Sequence, residues 1–284
     1  MLGIALEGGG ARCAAQAGAL AALADKHVAP DVIAGCGCGA WVAALYAMGA
    51  RSEGLRSAVR DIKQAGDWMI RRRAAGWRMF VHGRADGQGI LPMRRIEKAL
   101  RWQTLDTKLA DVGMPLAIPT WDVESGEEQM LSSRLPEKSS ALAWNRQATL
   151  AQAVRAAISA PGFCEPAVWR GRTLTGGVSH WATLPDALRD LGADSILRIR
   201  VLTLKDACLD PLTMASCSRL PRGEDGDGLL NIRLPAGSKL LDCANVELYF
   251  DIGYKAALAA RPIVAKPSVK AGGKILPFER SKQV

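Results

Sequence analysis

Residues 31–40 read DVIAGCGCGA, and this stretch decides the expected fold. Its first half is an apolar run suited to a buried strand, and the glycines that follow favour a sharp turn. The uncharged run continues to Ala50, and its nineteen residues are long enough for one membrane span. Because the glycines would break a spanning helix near its start, we interpret the run as a strand, a tight turn and a buried helix from about Ala40 to Met48.

A second glycine loop lies upstream of this turn. Residues 2–7 predict a short apolar strand, Gly8-Gly9-Gly10 follow it, and residues 14–27 carry a helical pattern. A glycine loop between a strand and a helix points backbone N–H groups at one spot, where the helix dipole favours an anion. The simpler alternative is that either loop serves only a tight turn.

The upstream loop does not fit a dinucleotide-binding fingerprint. That fingerprint needs G-x-G-x-x-G/A and an acidic residue at the end of the next strand. Residues 8–13 read GGGARC and lack the third glycine, and Asp31 precedes its strand instead of ending it. We therefore expect no cofactor and no metal.

Strand and helix patterns alternate along the chain, which is typical of α/β folds. The further predicted elements are helices at 51–64, 93–102, 147–159 and about 245–260, and strands at 115–120 and 195–202. Between 205 and 235 the pattern weakens as Pro, Gly and Asp accumulate. No interdomain linker is evident, so we expect one domain over residues 1–262 and a basic tail over 263–284.

Composition and charge bound the class of protein. Of 284 residues, 49% are hydrophobic and 23% charged, which excludes a disordered, collagenous or coiled-coil chain. A net charge of +9 favours anionic partners. The seven widely spaced cysteines indicate free thiols in a reducing compartment, and the N-terminus has no signal-peptide pattern, so we expect a cytoplasmic protein.

Together the two glycine loops resemble those of a serine acyl hydrolase. In such enzymes an oxyanion-hole loop follows the first strand, and a strand–G-x-S-x-G–helix elbow carries the nucleophile. The sequence is similar to the patatin-like acyl hydrolases, which implies a three-layer α/β/α fold with a central, mostly parallel sheet and phospholipase A-type hydrolysis of lipid esters. The resemblance rests on residues 7–12, 31–40, 115–127, 156–166 and 174–177, with further similar positions up to about residue 260.

Both catalytic positions that the resemblance implies are altered here. The family uses a Ser–Asp dyad, in which the aspartate of a D-G-[GA] motif activates the elbow serine. Gly37 stands at the serine position, and Thr175 stands at the aspartate position before Gly176-Gly177. Because glycine carries no nucleophile and threonine is a poor base at neutral pH, we expect a catalytically inactive protein. Glycine would also relieve the backbone strain of the elbow.

We expect the two glycine loops to bind an anion even without the catalytic residues. Its candidate ligands are the converging N–H groups of Gly8, Gly9, Gly10 and Cys38, with Arg12 one turn into the following helix. Such a pocket suits an acyl carboxylate or a phosphate head group, so a phospholipid, a fatty acid or an anionic membrane surface is the expected partner. An empty relic of the pocket, a protein partner, and an interaction protein without any ligand remain alternatives.

The cysteines offer a rival chemistry. Cys36 and Cys38 flank position 37, Cys13 follows the loop arginine, and Cys164 falls in a loop expected to border the pocket. A thiolate near a helix N-terminus has a lowered pKa, which leaves open an active ester hydrolase using Cys36 or Cys38, a redox role or a zinc site. Cys-x-Cys is not a usual zinc spacing, however, and buried cysteines commonly act as small hydrophobic residues.

Residues 68–80, WMIRRRAAGWRMF, mix arginines with large apolar side chains. Segments at lipid interfaces have this composition, so peripheral attachment to a membrane is one interpretation. Nucleic-acid binding uses the same residue types, although we expect no nucleic-acid partner. The ordinary interpretation is a solvated helix with a buried apolar stripe.

Overall fold

The computed structural model describes residues 1–61, 93–138, 141–176, 182–203 and 227–260. The strands are β1 Leu2–Leu6, β2 Val32–Gly35, β3 Leu116–Asp122, β4 Glu127–Ser132, β5 Ala143–Asn145, β6 Ala167–Trp169, β7 Arg172–Thr175, β8 Ser195–Thr203 and β9 Gly228–Leu234. The helices are α1 Cys13–Asp25, α2 Cys38–Ala47, α3 over 52–61, α4 Arg94–Thr104, α5 Leu150–Ala157, α6 Leu184–Asp190 and α7 Val246–Ala259.

In the described part of the chain the strands form one mostly parallel sheet. The sheet order is β5-β4-β3-β2-β1-β8-β9, with β7 pairing β3 and β6. Ala5 pairs with Ala34 and Leu6 with Gly35, so β1 and β2 end side by side. The loops that follow two adjacent parallel strands leave the same edge of the sheet, and here they place both glycine loops together.

Helices cover both faces of this sheet. Because strand side chains alternate between faces, Ile4, Leu6 and Ile33 enter a large core shared with α1, α2, α5 and α7. Ala5 and Ala34 point the other way, into a smaller core under α6. These two cores on opposite faces confirm the expected three-layer α/β/α fold.

The uncharged run after Asp31 forms β2, a turn and α2, which confirms its interpretation as strand, turn and buried helix. No helix among the residues described here combines the length and apolar character needed to cross a bilayer.

The last described helix packs tightly on the first. A Cβ added at Gly18 of α1 would lie 1.9 Å from the carbonyl oxygen of Phe250. A Cβ added at Gly253 of α7 would lie 1.8 Å from the carbonyl oxygen of Ala15. The two helices therefore approach each other closely through a glycine on each side, and α7 shares its core with β1 and α1.

Five of the strands described here are absent from the sequence-based expectation, namely β4, β5, β6, β7 and β9. β4 follows a tight turn after β3, and β9 lies where the pattern from 205 to 235 weakens. Because β9 is an edge strand, only Ile232 and Leu234 of its residues are buried, while Leu229, Asn231 and Arg233 are exposed. A strand that buries so few side chains carries a weak periodic signal.

Candidate functional site

The turn between β2 and α2 has the backbone geometry of a nucleophile elbow. Gly37 adopts φ 52° and ψ −133°, a left-handed conformation that favours glycine. A Cβ added at Gly35 would lie 2.6 Å from the carbonyl oxygen of Gly39. A Cβ added at Gly39 would lie 2.6 Å from the carbonyl oxygen of Leu6. Both flanking glycines are thus required by close backbone contacts, and the turn carries no side chain at position 37.

The upstream glycine loop lies directly against this elbow. A Cβ added at Gly37 would lie 3.3 Å from the Cα atom of Gly8. On the other side, a Cβ added at Gly10, which has φ +59°, would lie 2.1 Å from the carbonyl oxygen of Leu240. The loop is therefore held between the elbow and the segment that precedes α7.

Two glycines of the loop affect the thiols of the elbow. Hydrogen bonding from the Gly8 backbone opposes the rise in the pKa of Cys36, and hydrogen bonding from the Gly10 backbone contributes to the lowered pKa of Cys38. Gly9 differs, because a Cβ added there would meet only the Cβ of Arg12, at an ordinary contact distance of 3.7 Å. Gly9 therefore has free space beside it, unlike Gly10.

Arg12 lies elsewhere than expected. It ends the short 3-10 turn Gly10–Arg12 and precedes α1, whereas the sequence predicted a position one turn inside the helix. Its side chain is buried near Tyr249 of α7. Burial and a 2.6 Å hydrogen bond to Asp242 raise the pKa of the Tyr249 hydroxyl, and the charge of Arg12 opposes that rise. The Arg12 guanidinium therefore lies close to α7, where its charge affects the Tyr249 hydroxyl.

Four cysteines at or near the elbow are linked through their effects on one another's pKa. Hydrogen bonding between the Cys13 and Cys38 thiols shifts the pKa of both, the charge of Cys38 raises the pKa of Cys36 and of Cys164, and all four are free thiols. Cys243 also acts on Cys13, a neighbour that sequence spacing could not indicate because the two residues are brought together by α7 packing on α1. No group of three or more His, Cys, Asp or Glu in the described portion is arranged to hold a metal ion.

The thiols differ in acidity. Burial raises the pKa of Cys36 to about 12, and burial also raises that of Cys164. The hydrogen bond from the Cys13 thiol lowers the pKa of Cys38 and raises that of Cys13 itself. Cys38 is therefore the cysteine of this cluster whose thiolate is favoured, and it is half-buried whereas the other three are buried.

Thr175 lies beyond the end of β2 from which the elbow departs. On β3, Ala117 pairs with Ala34 of β2, and Trp121 pairs with Thr175 of β7. β4 pairs along one side of β3. β7 therefore pairs along the other side, beyond the point where β2 ends. Thr175 is followed by Gly176, whose added Cβ would lie 2.0 Å from the Ala157 carbonyl oxygen.

An ion cluster just before the glycine loop escaped the sequence-based reasoning. Glu7 accepts a 2.9 Å hydrogen bond from Nε of Arg200 and pairs with Arg198 at 3.4 Å. Burial raises the pKa of Glu7 even so. The available signal was the spacing of Arg198 and Arg200, which places both side chains on one face of a strand.

Several predicted features lie outside the described residues. They are the basic segment 68–80, the tail 263–284, and Gly177, Cys208 and Cys217.

The sequence model of the patatin-like phospholipase family matches residues 4–185, which span β1, the elbow and β7. The chain belongs to this family.

Two solved structures are similar at low identity. VipD from Legionella pneumophila is 12% identical, with a TM-score of 0.47 over 90% of this chain and 66% of VipD. The type III effector protein ExoU is 13% identical, with a TM-score of 0.43 over 90% of this chain and 52% of ExoU. This chain thus spans about two thirds of the first protein and about half of the second.

Proposed function

We propose that this protein is a catalytically inactive patatin-like protein that binds a lipid acyl ligand beside the elbow. The observation that carries the proposal is Gly37, which occupies the turn where a serine hydrolase would hold its nucleophile. Loss of the nucleophile alone lowers turnover of a serine hydrolase by about a million-fold. Thr175 in place of an aspartate would remove the activating base as well.

The character of the loops supports binding of an acyl or phosphate group. Gly9 has free space beside it, and the loop from Gly8 to Gly10 is half-buried, so its backbone is accessible. A net charge of +9 would attract a fatty acid or an anionic phospholipid to the protein. We place the ligand against Gly9 and the bare turn at Gly37.

We further propose that residues 1–262 form one domain with a basic tail at 263–284, in a cytoplasmic protein that attaches peripherally to membranes. Residues 68–80 would supply arginine for lipid phosphate and Trp and Phe for the acyl boundary.

A second candidate is an active lipid ester hydrolase that uses Cys38. Its lowered pKa, its partial exposure and its place as the first residue of α2 favour this candidate. Cys36 is the less suitable residue, because burial raises its pKa to about 12 and leaves very little thiolate at neutral pH.

Ligand binding is tested by thermal denaturation of the purified protein with a long-chain fatty acid. A ligand present at 100 times its Kd stabilises the folded state by about 2.7 kcal/mol, which raises the melting temperature by several degrees. The matched variants are Gly9→Leu, which fills the free space in the loop, and Gly113→Leu, which adds the same side chain where no atom lies within 4 Å. We expect Gly9→Leu alone to abolish the shift.

Other outcomes would decide against the proposal. If the parent shows no shift with fatty acid or with vesicles of anionic phospholipid, an interaction protein without a ligand is favoured. Serine-directed fluorophosphonate is expected to leave the parent unlabelled, and stoichiometric labelling would contradict catalytic inactivity. Loss of an esterase activity on alkylation of Cys38 would favour the second candidate.

A further inference from the structure

The helix α4 presents a mixed basic and apolar surface to solvent. Successive residues of an α-helix turn by about 100°, so positions 94, 95, 98, 101 and 102 fall within about one third of the circumference of α4. All five are exposed, and so is Leu105, which directly follows the helix end. We call these six residues the outer face of α4: Arg94, Arg95, Lys98, Arg101, Trp102 and Leu105.

The opposite side of α4 fixes the helix on the protein. Ile96 and Leu100 are buried in the large core. Gln103 accepts a 2.7 Å hydrogen bond from Nε1 of Trp41, the fourth residue of α2, and donates one of 2.9 Å to Asp61. The outer face therefore points to solvent while α4 stays attached to the helix that begins at the elbow.

The outer face carries an excess of positive charge. Residues 94–108 contain five basic and two acidic side chains. Arg101 pairs with Glu97 at 3.2 Å, whereas Arg94 and Lys98 form no ion pair with any residue that the structure describes. Such a surface attracts a partner with several negative charges.

Two large apolar side chains lie at the end of the outer face. Trp102 is 72% exposed and Leu105 is 76% exposed. Leu105 also has φ 49°, a left-handed conformation that glycine usually supplies at a helix end and that strains leucine. Because its side chain is exposed, packing within the described part of the protein does not offset this strain. A partner that covers Trp102 and Leu105 would bury apolar surface that the protein itself leaves in water.

We propose that the outer face of α4 docks on the surface of an anionic phospholipid bilayer. Lipid phosphates suit the arginine and lysine side chains, tryptophan favours the interface, and leucine enters the acyl boundary. A nucleic acid would pair with the same cations but would leave Leu105 in water. This docking supplies a surface for the proposed attachment to membranes, on which it rests, and it is separate from the acyl ligand at the elbow.

Co-sedimentation of the full chain with vesicles of phosphatidylcholine and phosphatidylserine tests the docking. Trp102→Gln and Leu105→Gly are each expected to lower the partition coefficient about tenfold, because each removes a large side chain from the acyl boundary. Lys98→Gln is expected to lower it about fivefold. Leu105→Gly should at the same time keep or raise the melting temperature, because glycine fits the left-handed conformation. Weaker binding without lower stability would separate docking from a structural role.

Exposed positions on α7 provide matched controls. Leu248 is 50% exposed, and Lys255 is also exposed. Leu248→Gln removes an exposed apolar side chain away from α4, and Lys255→Gln gives the same net charge as Lys98→Gln. Both controls should bind vesicles close to the parental level.

Several results would overturn the proposal. One is parental binding by both Trp102→Gln and Leu105→Gly. Another is weakening by Lys98→Gln alone, which would indicate an anionic polymer such as a nucleic acid. A parental dimer that Trp102→Gln converts to a monomer would show that the outer face joins two copies of the chain.

The docking and the ligand site at the elbow can fail separately. If the parent binds no vesicles but is still stabilised by a fatty acid, the docking is wrong and the ligand site stands. If vesicles bind through α4 and a fatty acid gives no thermal shift, the ligand site is wrong and the docking stands.

Discussion

At the scale of single residues, position 37 explains most of the candidate site. Its φ of 52° is one that side chains other than glycine rarely adopt. In a hydrolase the nucleophile tolerates that strain because the reaction requires it there. Once that requirement is absent, glycine is the residue that best fits this backbone.

Gly37→Ser is expected to destabilise the protein. A serine there must adopt the left-handed conformation, and its Cβ would lie 3.3 Å from the Cα atom of Gly8. We expect the free energy of unfolding to fall by about 1–3 kcal/mol in urea titrations. Gly113→Ser, at a position without neighbouring atoms or a positive φ, is the control and should change stability little. Equal effects in the two variants would contradict a strained elbow.

Thiol alkylation should separate Cys38 from Cys36. A lowered pKa gives Cys38 a thiolate at lower pH, so its reaction with iodoacetamide should begin below the pH expected of an ordinary cysteine. With a pKa of about 12, Cys36 is about one part in ten thousand thiolate near pH 8 and should react only in strong alkali. Quantitative peptide mapping across pH measures both rates. Faster modification of Cys36 would show that this order of acidity is wrong.

The sequence predicts the backbone conformation of the glycine turn, but it does not predict the pKa shifts or the ion-pair partners of the charged residues nearby. Glycine spacing places Gly35, Gly37 and Gly39 in a turn because backbone freedom is a local property. The acidity of Cys38 depends on Cys13, which lies in another loop, so spacing could suggest a cluster but not the direction of each pKa. The same limit applies to Glu7, whose arginine partners lie on a distant strand.

At the scale of secondary-structure elements, the two paired glycines of α1 and α7 form a contact that leaves no room for a larger residue. Gly18→Ala would place a Cβ 1.9 Å from the Phe250 carbonyl oxygen, so the helices must move apart. We expect a loss of about 1–3 kcal/mol or more in the free energy of unfolding. Gly54→Ala in α3 is the control, since its Cβ would meet only Ala50 at 3.4 Å. It should be neutral or stabilising by up to about 1 kcal/mol. A stable Gly18→Ala protein would contradict this close packing.

Elements with a long, mostly buried pattern were predictable, and short or largely polar strands were not. The strands β1, β2, β3 and β8 are mostly buried, and the helices α1, α2 and α5 pack on the sheet that they form. The strand β9 buries only two side chains, and β7 is four residues long. The positions of these two strands depend on their pairing with β8 and β3, and the local amino-acid composition does not indicate that pairing.

At the scale of the whole molecule, the net charge of +9 predicts how lipid binding depends on salt. Binding to vesicles of anionic phospholipid should weaken as sodium chloride rises, because the screening length is about 8 Å at physiological ionic strength. Co-sedimentation measures the bound fraction, and phosphatidylcholine vesicles are the control. Salt-independent binding, or equal binding to both vesicles, would contradict an electrostatic contribution.

The measurement that tests the central claim most directly is hydrolysis of a short-chain p-nitrophenyl ester. The purified parent is compared with a variant that carries both family residues, Gly37→Ser and Thr175→Asp. We predict that the parent is silent and that the double variant turns over, because the elbow and the glycine loop retain the geometry of a hydrolase. Hydrolysis by the parent at an ordinary enzymatic rate would contradict the claim that function here lies in binding, and Cys38 would become the first residue to replace.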